Sequence, residues 1–396
     1  MIPSLRKQFN DSFTPEKYQT FLRRIDHASG THVQFRLSET PCFFPKSLLE
    51  RMAEDGKELI RQLVGNPEYR ARSDASIPAE FRVANEAPRP LFVQVDFGLV
   101  RDASGQLQPK LVELQAFPSL YAYQVTLAQS YIDVYGLDQR LNFFLSGLNQ
   151  KSYRELLQRA IVGTHDPENV VLMEINPREQ KTLPDFLLTE KMLGIRTVDI
   201  QAIKKNGSQL CYEWNGTQVP IRRIYNRTIV DELQRKQVKL GFDWRDDLDV
   251  EWAGHPNWYF RISKFSIPYL HHQSVPKTWF LDKLEQIPDD LENYALKPLY
   301  SFAGLGVVIA PKREDIEAIP PEKRSEYILQ ERLHFEPVIE TPFGGTKAEV
   351  RVMYIWQDDL TPVLTIIRMG RGLMMGVDHN KNMEWVGASA GLWPDE

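Results

Sequence analysis

The first residues that could do chemistry lie at 294–307, where the sequence reads YALKPLYSFAGLGV. The apolar run predicts a short strand, which Lys297 and Pro298 interrupt. Proline gives no N–H to a sheet ladder, so we expect Lys297 beside a strand end, where its ammonium group reaches into a cleft. Gly304 and Gly306 allow a turn whose N–H groups can face phosphate oxygens. This pattern favours a nucleotide site; the alternative is a hairpin with a chance lysine, and no Walker A sequence follows the glycines.

A second group of candidate residues lies in two β-rich runs near residue 100, VQVDFGLV and KLVELQA. The intervening RDASGQLQ predicts a hairpin with a glycine turn. Alternation along a strand puts Glu113 and Gln115 on one face, and Asp96 can lie opposite them across the ladder. Two carboxylates and an amide oxygen on one face favour a hard cation, such as Mg²⁺ carrying substrate phosphates. Alternatively, these residues occupy the solvent side of an ordinary hairpin.

The elements that must position these residues change in style along the chain. PEKYQTFLRRID and PKSLLERMAEDGKELIRQLV predict helices ahead of the hairpin. From about 150 to 250, NVVLMEI predicts a buried parallel strand, TLPDFLLTEKMLGI an amphipathic helix and RTVDI a second strand, followed by a hairpin around Asn215-Gly216. Strands and hairpins return from 277 to 396. The pattern predicts an α+β fold in which antiparallel sheets flank an α/β middle sub-domain.

Length and composition limit the possible classes of protein. The chain has 396 residues, of which 42% are hydrophobic and 26% charged, which predicts two or three sub-domains with substantial cores. A net charge of −5 gives no basic footprint for nucleic acid. Cys42 and Cys211 are too few for a disulfide framework or a zinc site. The N-terminal residues have no apolar leader pattern and no run of 18 apolar residues occurs, so we expect a cytoplasmic protein outside the membrane.

Taken together, these features resemble an ATP-grasp enzyme: a strand with a lysine ahead of a glycine loop, a second lysine upstream in FRISKFSIP, a YILQERL strand afterwards, and carboxylates on a separate hairpin. More narrowly, their order resembles glutathionylspermidine synthase and its relatives. In that family the fold is circularly permuted, so that the metal-binding strands precede the lysines, as they do here. The resemblance implies an N-terminal region with the metal hairpin at 1–150, an α/β sub-domain at 151–275, and an ATP-binding lid with the last core strands at 276–396.

The resemblance also implies cofactors and site residues. Asp96, Glu113 and Gln115 match the family's Mg²⁺ ligands. The residues that it assigns to ATP are Lys264, Lys297, Ser301, Gly304, Gly306, Gln330 and Glu331. Among them, the two lysines match the family's ATP-binding lysines, the loop SFAGLGV matches the flexible loop over the phosphates, and the Gln-Glu pair would lie beside the adenine and its ribose.

The sequence departs from the family pattern on the acceptor side. The family has arginine two residues before the metal aspartate, where it serves the acyl phosphate, and this chain has Gln94. The third metal position holds Gln115 in place of asparagine. Arg36, in the strand-like VQFRLSETP, is our first candidate for the missing positive charge, and Arg368 is the second. Arg351 and Arg368 lie on two strands of the tail that are predicted to pair.

These features lead to two hypotheses about function. The first is an ATP- and Mg²⁺-dependent ligase in which a substrate carboxylate attacks the γ-phosphorus and an amine then opens the acyl phosphate to an amide. The second is a nucleotide-binding protein that has lost ligase chemistry and serves as a sensor or scaffold. A kinase that stops at phosphoryl transfer is a weaker third alternative. The expected partners are a small carboxylate and a small amine, and the sequence indicates neither their identity nor the oligomeric state.

Overall fold

The structure is a computed structural model that describes residues 1–299 and 306–395. Its helices are α1 (Pro3–Ser12), α2 (Pro15–Ser29), α3 (Lys46–Val64), α4 (Pro67–Asp74), α5 (Tyr123–Tyr135), α6 (Gln150–Ile161), α7 (Leu183–Leu193), α8 (Val230–Arg235), α9 (Asn257–Arg261) and α10 (Arg313–Glu317). Its strands are β1 (Cys42–Phe43), β2 (Phe92–Arg101), β3 (Leu107–Gln115), β4 (Leu141–Asn142), β5 (Val170–Glu174), β6 (Arg196–Asp199), β7 (Lys204–Asn206), β8 (Gln209–Trp214), β9 (Thr217–Ile221), β10 (Arg223–Asn226), β11 (Glu251–Ala253), β12 (Thr278–Phe280), β13 (Tyr294–Pro298), β14 (Val308–Ile309), β15 (Tyr327–Glu331), β16 (Ile339–Thr341), β17 (Gly344–Trp356), β18 (Leu360–Gly370) and β19 (Gly387–Pro394).

The two helices predicted ahead of the hairpin form as α2 and α3. Thr14 caps α2 by accepting the backbone N–H of Lys17 at 3.3 Å, and Pro15 occupies the first helical position, where its missing N–H is not needed. Gly30 ends this helix in the left-handed region, with φ 74°. None of the helices within residues 1–299 and 306–395 is long and apolar enough to cross a membrane.

The largest sheet joins both ends of the chain. Its strand order is β1-β19-β18-β17-β2-β3, with β16 paired to β17 and β4 paired to β19. The predicted hairpin β2–β3 forms, and the tail hairpin β17–β18 pairs antiparallel with β2. We call this the large sheet. Its strands come from both of the predicted units 1–150 and 276–396. The boundaries of these units remain a prediction.

Alternation along β2 separates the core side from the polar side of the large sheet. Val93, Val95 and Phe97 are fully buried on one face, where helix α3 covers the sheet. There Tyr354 of β17 donates its hydroxyl to the carbonyl of Ala53 in α3 at 2.9 Å. The intervening polar residues of β2 therefore face the opposite side, away from α3.

The middle of the chain forms a parallel sheet of order β11-β10-β5-β6, with α7 connecting β5 to β6. This middle sheet confirms the strand–helix–strand prediction for 150–250. The hairpin β8–β9 also forms, with Asn215 and Gly216 at φ 49° and 79° in its turn, and β7 completes a small antiparallel flap.

The predicted lysine strand forms in a separate antiparallel sheet of order β12-β15-β13-β14, which we call the lysine sheet. Lys297 is the penultimate residue of β13, and Pro298 ends the strand. The predicted strand YILQERL forms β15 and pairs with β13. In the glycine loop, Ser301 and Gly304 lie outside the described residues. Position 306 has φ 73°, a left-handed conformation that favours glycine.

Candidate functional site

Charged side chains from four neighbouring strands meet on the polar face of the large sheet. Arg351 of β17 lies opposite Asp96 of β2, which lies opposite Glu113 of β3. Glu349 of β17 lies opposite Arg368 of β18. Opposite residues of adjacent strands share a face and are close enough to interact. We call the resulting set the Asp96 cluster; it consists of Gln94, Asp96, Glu113, Gln115, Glu349, Arg351 and Arg368.

Asp96 holds two guanidinium groups. Its carboxylate accepts from Arg351 Nε at 2.6 Å and Nη2 at 2.7 Å, a bidentate pair, and it also pairs with Arg368. The side chain is only 1% exposed. Burial alone would raise the pKa of Asp96, but the two arginines outweigh it and hold the pKa below its ordinary value. Asp96 is therefore ionised and fixes both arginines in the site.

Glu349 is a third carboxylate of the cluster that the sequence analysis did not select. It is buried and pairs with Arg368. Burial raises the pKa of Glu349 to about 7. The charge of Arg368 opposes this shift, and the charges of Asp96 and Glu113 add to it. The available signal was the alternation in EVRV, which puts Glu349 and Arg351 on one face of a strand. The sequence does not show that the strand carrying Glu349 and Arg351 pairs with β2.

Gln94 and Gln115 both lie against Arg351. Gln94 Oε1 accepts from Arg351 Nη1 at 3.1 Å, and the Gln115 amide oxygen, turned toward the guanidinium, accepts from Nη1 at 3.0 Å and Nη2 at 3.2 Å. Gln94 is completely buried, and its amide nitrogen donates to the carbonyl of Ser119 at 2.9 Å. Gln94 therefore orients the guanidinium of Arg351 without neutralising its charge.

A β-bulge opens the edge of the Asp96 cluster toward the lysine sheet. Glu113 pairs with Asp96 and Leu111 pairs with Phe97, so Val112 between them is left without a partner in the ladder. The carbonyl of Val112 instead lies 3.5 Å from the Nζ atom of Lys297. The bulge thus creates the contact between the two sheets.

Lys297 and Lys264 lie together at this contact. Lys297 donates to the side-chain oxygen of Gln330, and burial lowers its pKa to about 8. Glu113 and Glu349 oppose this shift, whereas the nearby charge of Lys264 lowers the pKa further. Lys264 is 7% exposed and begins a 3-10 turn that Ser263 caps. Lys264 and Lys297 are 33 residues apart in the sequence, and the structure brings them close together, as predicted for two lysines that face one ligand.

The two predicted residues of β15 differ in their surroundings. Gln330 is buried, accepts from Lys297 and donates to the hydroxyl of Thr278 at 3.2 Å. Glu331 is exposed, and its carboxylate accepts the backbone N–H of Lys277 at 3.4 Å. Gln330 is thus part of the lysine contact, and Glu331 lies at the outer edge of the sheet.

Arg36 does not join the Asp96 cluster, which corrects our first candidate for the missing positive charge. Its guanidinium pairs with Glu39, three residues along the chain, and donates to the hydroxyl of Tyr18 and the carbonyl of Met383. The short sequence separation lets Glu39 capture this arginine locally. Arg351 is the arginine that contacts Gln94.

Basic groups outnumber acidic groups at this site. The acidic residues are Asp96, Glu113 and Glu349, and the basic residues are Lys264, Lys297, Arg351 and Arg368. Three carboxylates against four cations leave a net charge of +1 when all are ionised. A net positive cluster of side chains favours an anionic ligand.

The donors at the site fit Mg²⁺ in kind. Carboxylate and amide oxygens are its preferred protein ligands. Glu113 is 30% exposed, and its closest cation is Arg351 at 3.7 Å, so its oxygens are accessible. Asp96 must release a guanidinium to take up a metal, and among the described residues no group of three or more acidic, histidine or cysteine side chains is already arranged to hold one. The fit therefore depends on Glu113, Gln115 and a rearranged Asp96.

A buried ion pair fixes the segment that follows β3. Asp185, near the start of α7, pairs with Arg227, which directly follows β10. Asp185 also accepts the backbone N–H groups of residues 120, 122 and 123 at 3.1, 3.1 and 3.0 Å. Segment 116–122 is thereby held between the large sheet and the carboxyl end of the middle sheet.

Ser119 in this segment connects the Asp96 cluster to the middle sheet. Its carbonyl accepts from Gln94, and its hydroxyl oxygen lies 3.5 Å from Arg227 Nη2. Ligands of open parallel sheets bind outside the carboxyl ends of the strands. The end of the middle sheet is therefore a second candidate position for a ligand, next to the Asp96 cluster.

Glu174 occupies this end as the last residue of β5. It is 4% exposed, and one carboxyl oxygen accepts the backbone N–H of Ile175 at 2.8 Å. Burial raises its pKa to about 8, although that N–H and Arg227 both lower it. Glu174 is not among the residues predicted from the sequence, although its place at the end of a predicted parallel strand is a signal for a ligand position.

The comparisons with known proteins bear on the fold. No family model and no curated protein matches the sequence. Among solved structures, the fold is similar to that of a glutathione synthetase-like effector from Globodera pallida in its apo form, with 11% identity, a TM-score of 0.57, and coverage of 96% of this chain and 99% of that chain. The chain therefore shares the mixed α+β fold of that effector. At this identity, the likeness shows the fold alone.

Proposed function

We propose that the chain is an ATP- and Mg²⁺-dependent carboxylate–amine ligase with a circularly permuted ATP-grasp fold like that of glutathionylspermidine synthase. The observation that carries the proposal is the convergence of Lys264, Lys297, Arg351 and Arg368 with three carboxylates between the large sheet and the lysine sheet. The fold alone does not imply an activity, so the proposal rests on this site. The chain order, with β2–β3 ahead of the lysines, supports the permutation.

In this proposal the lysine sheet binds the nucleotide. Lys297 and Lys264 face the phosphates, because both ammonium groups lie at the edge of the Asp96 cluster. Gln330 and Glu331 lie toward the adenine and ribose, whereas Ser301 and Gly304 of the predicted phosphate loop lie outside the described residues. Glu113, Asp96 and Gln115 hold Mg²⁺, which when bound neutralises phosphate charge.

The reaction proceeds in two balanced steps. A substrate carboxylate oxygen forms a bond to the γ-phosphorus, and the bond from that phosphorus to the departing ADP oxygen breaks. An amine nitrogen then attacks the acyl carbon, inorganic phosphate leaves with the C–O electron pair, and the amine loses a proton. The arginines of the Asp96 cluster, Arg351 and Arg368, supply the positive charge for the phosphoryl oxygens, and catalysis is otherwise a matter of positioning.

We place the amine at the carboxyl end of the middle sheet. Glu174 offers a buried carboxyl group there, which would accept a hydrogen bond from an incoming amine. The segment containing Ser119 lies between this position and the Asp96 cluster, because Ser119 contacts Arg227 on one side and Gln94 on the other. In this proposal a small carboxylate and a small amine meet at segment 116–122.

One observation favours the second candidate, an ATP-binding module that serves as a sensor or scaffold. Both oxygens of Asp96 are already engaged by guanidinium groups, so a metal must compete with Arg351 and Arg368. A chain that binds nucleotide without turnover would retain this arrangement. The two candidates share the nucleotide site and differ only in the chemistry that follows.

Substrate-dependent ADP release tests the proposal. The purified chain is incubated with Mg·ATP and mixtures of carboxylic acids and amines, and products are identified by a mass equal to acid plus amine minus water. A ligase releases ADP and phosphate only when both substrates are present, and Lys297→Met abolishes the release. Stabilisation by Mg·ATP without ADP from any mixture would support the binding module. Neither stabilisation nor turnover would contradict both candidates.

A further inference from the structure

Arg351 occupies the centre of the Asp96 cluster. Its three guanidinium nitrogens are directed at two neighbouring residues of β2: Nε and Nη2 bind Asp96, and Nη1 binds Gln94. The Nη2 atom also lies 3.7 Å from Glu113. The side chain is 12% exposed, so the charge is mostly shielded from water. No other arginine of the cluster reaches Gln94 among the described contacts.

The strand register explains how Arg351 reaches this position. Arg351 is directly opposite Asp96, while Met353 is opposite Gln94, so the guanidinium extends diagonally across β2. Diagonal neighbours on one face are within reach of long side chains. The cationic group that contacts position 94 thus comes from β17, whereas position 94 itself carries a neutral amide.

The two arginines of the cluster differ in how far their charge is compensated. Arg368 is held between Asp96 and Glu349, two carboxylates at close contact. Arg351 has one carboxylate at hydrogen-bond distance, Asp96, with Glu113 farther away at 3.7 Å, and its Nη1 faces the neutral oxygen of Gln94. Arg351 is therefore the arginine with more positive charge available for a ligand.

We propose that Arg351 is the catalytic residue that contacts the transferred phosphoryl group, with its charge supplied from β17 in place of position 94. This inference rests on the proposed nucleotide function and adds the residue that acts on the reacting phosphorus. As the carboxylate–phosphorus bond forms and the bond to ADP breaks, charge spreads over three phosphoryl oxygens, which need fixed donors. Gln94 then acts as the positioning residue for Arg351.

The test uses Mg·ADP with aluminium fluoride, a planar mimic of the transferred phosphoryl group, and thermal stabilisation as the readout. The parent chain is expected to gain stabilisation from Mg·ADP and an additional shift from the fluoride. Arg351→Met keeps the first shift and binds the fluoride about 100-fold more weakly. The double variant Gln94→Arg/Arg351→Met returns the charge to β2 and regains the additional shift. Arg101→Met, at the far end of β2 where Arg101 pairs with Glu336, serves as the matched control.

The outcomes separate this inference from the proposed function. Full fluoride-dependent stabilisation of Arg351→Met would overturn the role of Arg351 while leaving nucleotide binding intact. A double variant that folds and binds Mg·ADP but gains nothing from the fluoride would overturn it as well, even if Arg351→Met alone does not fold. Absence of any Mg·ATP or Mg·ADP stabilisation in the parent would overturn the proposed function, and this inference with it.

Discussion

At the scale of single residues, burial changes the charge of the groups that would meet a nucleotide. Lys297 has a lowered pKa of about 8 because its ammonium group is desolvated and lies near Lys264. Glu349 has a raised pKa of about 7 because it is buried beside other carboxylates. Binding an anion next to both residues would favour the protonated form of each. Proton uptake should therefore accompany nucleotide binding.

Substitution of Lys297 should remove the nucleotide response. Mg·ATP is expected to raise the melting temperature of the parent chain, and Lys297→Ala should lose most of that shift because a cation that meets the phosphates is deleted. Lys277→Ala, which changes an exposed lysine of the same sheet, should respond like the parent. Equal stabilisation of Lys297→Ala and the parent would show that ATP does not bind at this lysine.

The affinity for ATP should fall with rising pH. The folded pKa of Lys297, about 8, lies below its ordinary value of 10.5, so its charge is present at pH 7 and is lost as the pH rises through 8. Loss of one linked proton weakens binding by up to about tenfold per pH unit above that point. Calorimetric titration between pH 7 and 9 measures the effect, and Lys297→Arg should flatten it. A parent profile without slope in this range would refute the linkage.

Removal of one anionic ligand should weaken the metal dependence. Glu113→Gln keeps the shape of the side chain but deletes a charge that is accessible to Mg²⁺. Nucleotide binding should then need a higher Mg²⁺ concentration, as measured by titrating Mg²⁺ at fixed ATP. Glu322→Gln, at an exposed position, is the control. Identical Mg²⁺ titrations for Glu113→Gln and the parent would remove Glu113 from the metal site.

At the scale of elements, Glu174 at the carboxyl end of β5 should make the stability of the fold depend on pH. Glu174 has a folded pKa of about 8 against an ordinary 4.5, so the folded chain retains a proton that the unfolded chain loses in this range. The parent should therefore lose stability as the pH rises from about 5 to 8, with no further loss from this group above 8. Glu174→Gln carries no titrating group, so its stability relative to the parent should increase over that range. Denaturant unfolding at several pH values measures the difference, and a constant difference would show that Glu174 ionises normally.

Several elements of the site were predictable from local sequence. The hairpin β2–β3, the strand with Lys297 and the pairing within the tail all follow from alternation, turn residues and the position of Pro298. Asp96 and Glu113 were predicted as opposite neighbours, and the structure pairs them.

The cross-strand arginine contacts were not predictable in this way. Arg351 and Asp96 are 255 positions apart, and only the register between β17 and β2 makes them neighbours. Arg36 was chosen because it lies in a predicted strand, but a carboxylate three residues away captured it. A single sequence specifies local pairs better than the register between distant strands. A shift of that register by one residue moves every side chain of the strand to the opposite face of the sheet.

At the scale of the whole molecule, the two ends of the chain build one sheet. β2 and β3 lie beside β17 and β18, so the Asp96 cluster forms only when the N-terminal hairpin and the tail are assembled. The lysine sheet comes from residues between them in the sequence. A circularly permuted ATP-grasp fold, as we propose, accounts for this order.

The central claim is that Mg·ATP binds between the large sheet and the lysine sheet, and a crystal structure with Mg²⁺ and a non-hydrolysable ATP analogue tests it most directly. We expect the phosphates beside Lys264 and Lys297, metal density at Asp96 and Glu113, and a guanidinium displaced from Asp96. A nucleotide bound elsewhere, with Asp96 still held by Arg351 and Arg368, would contradict the account.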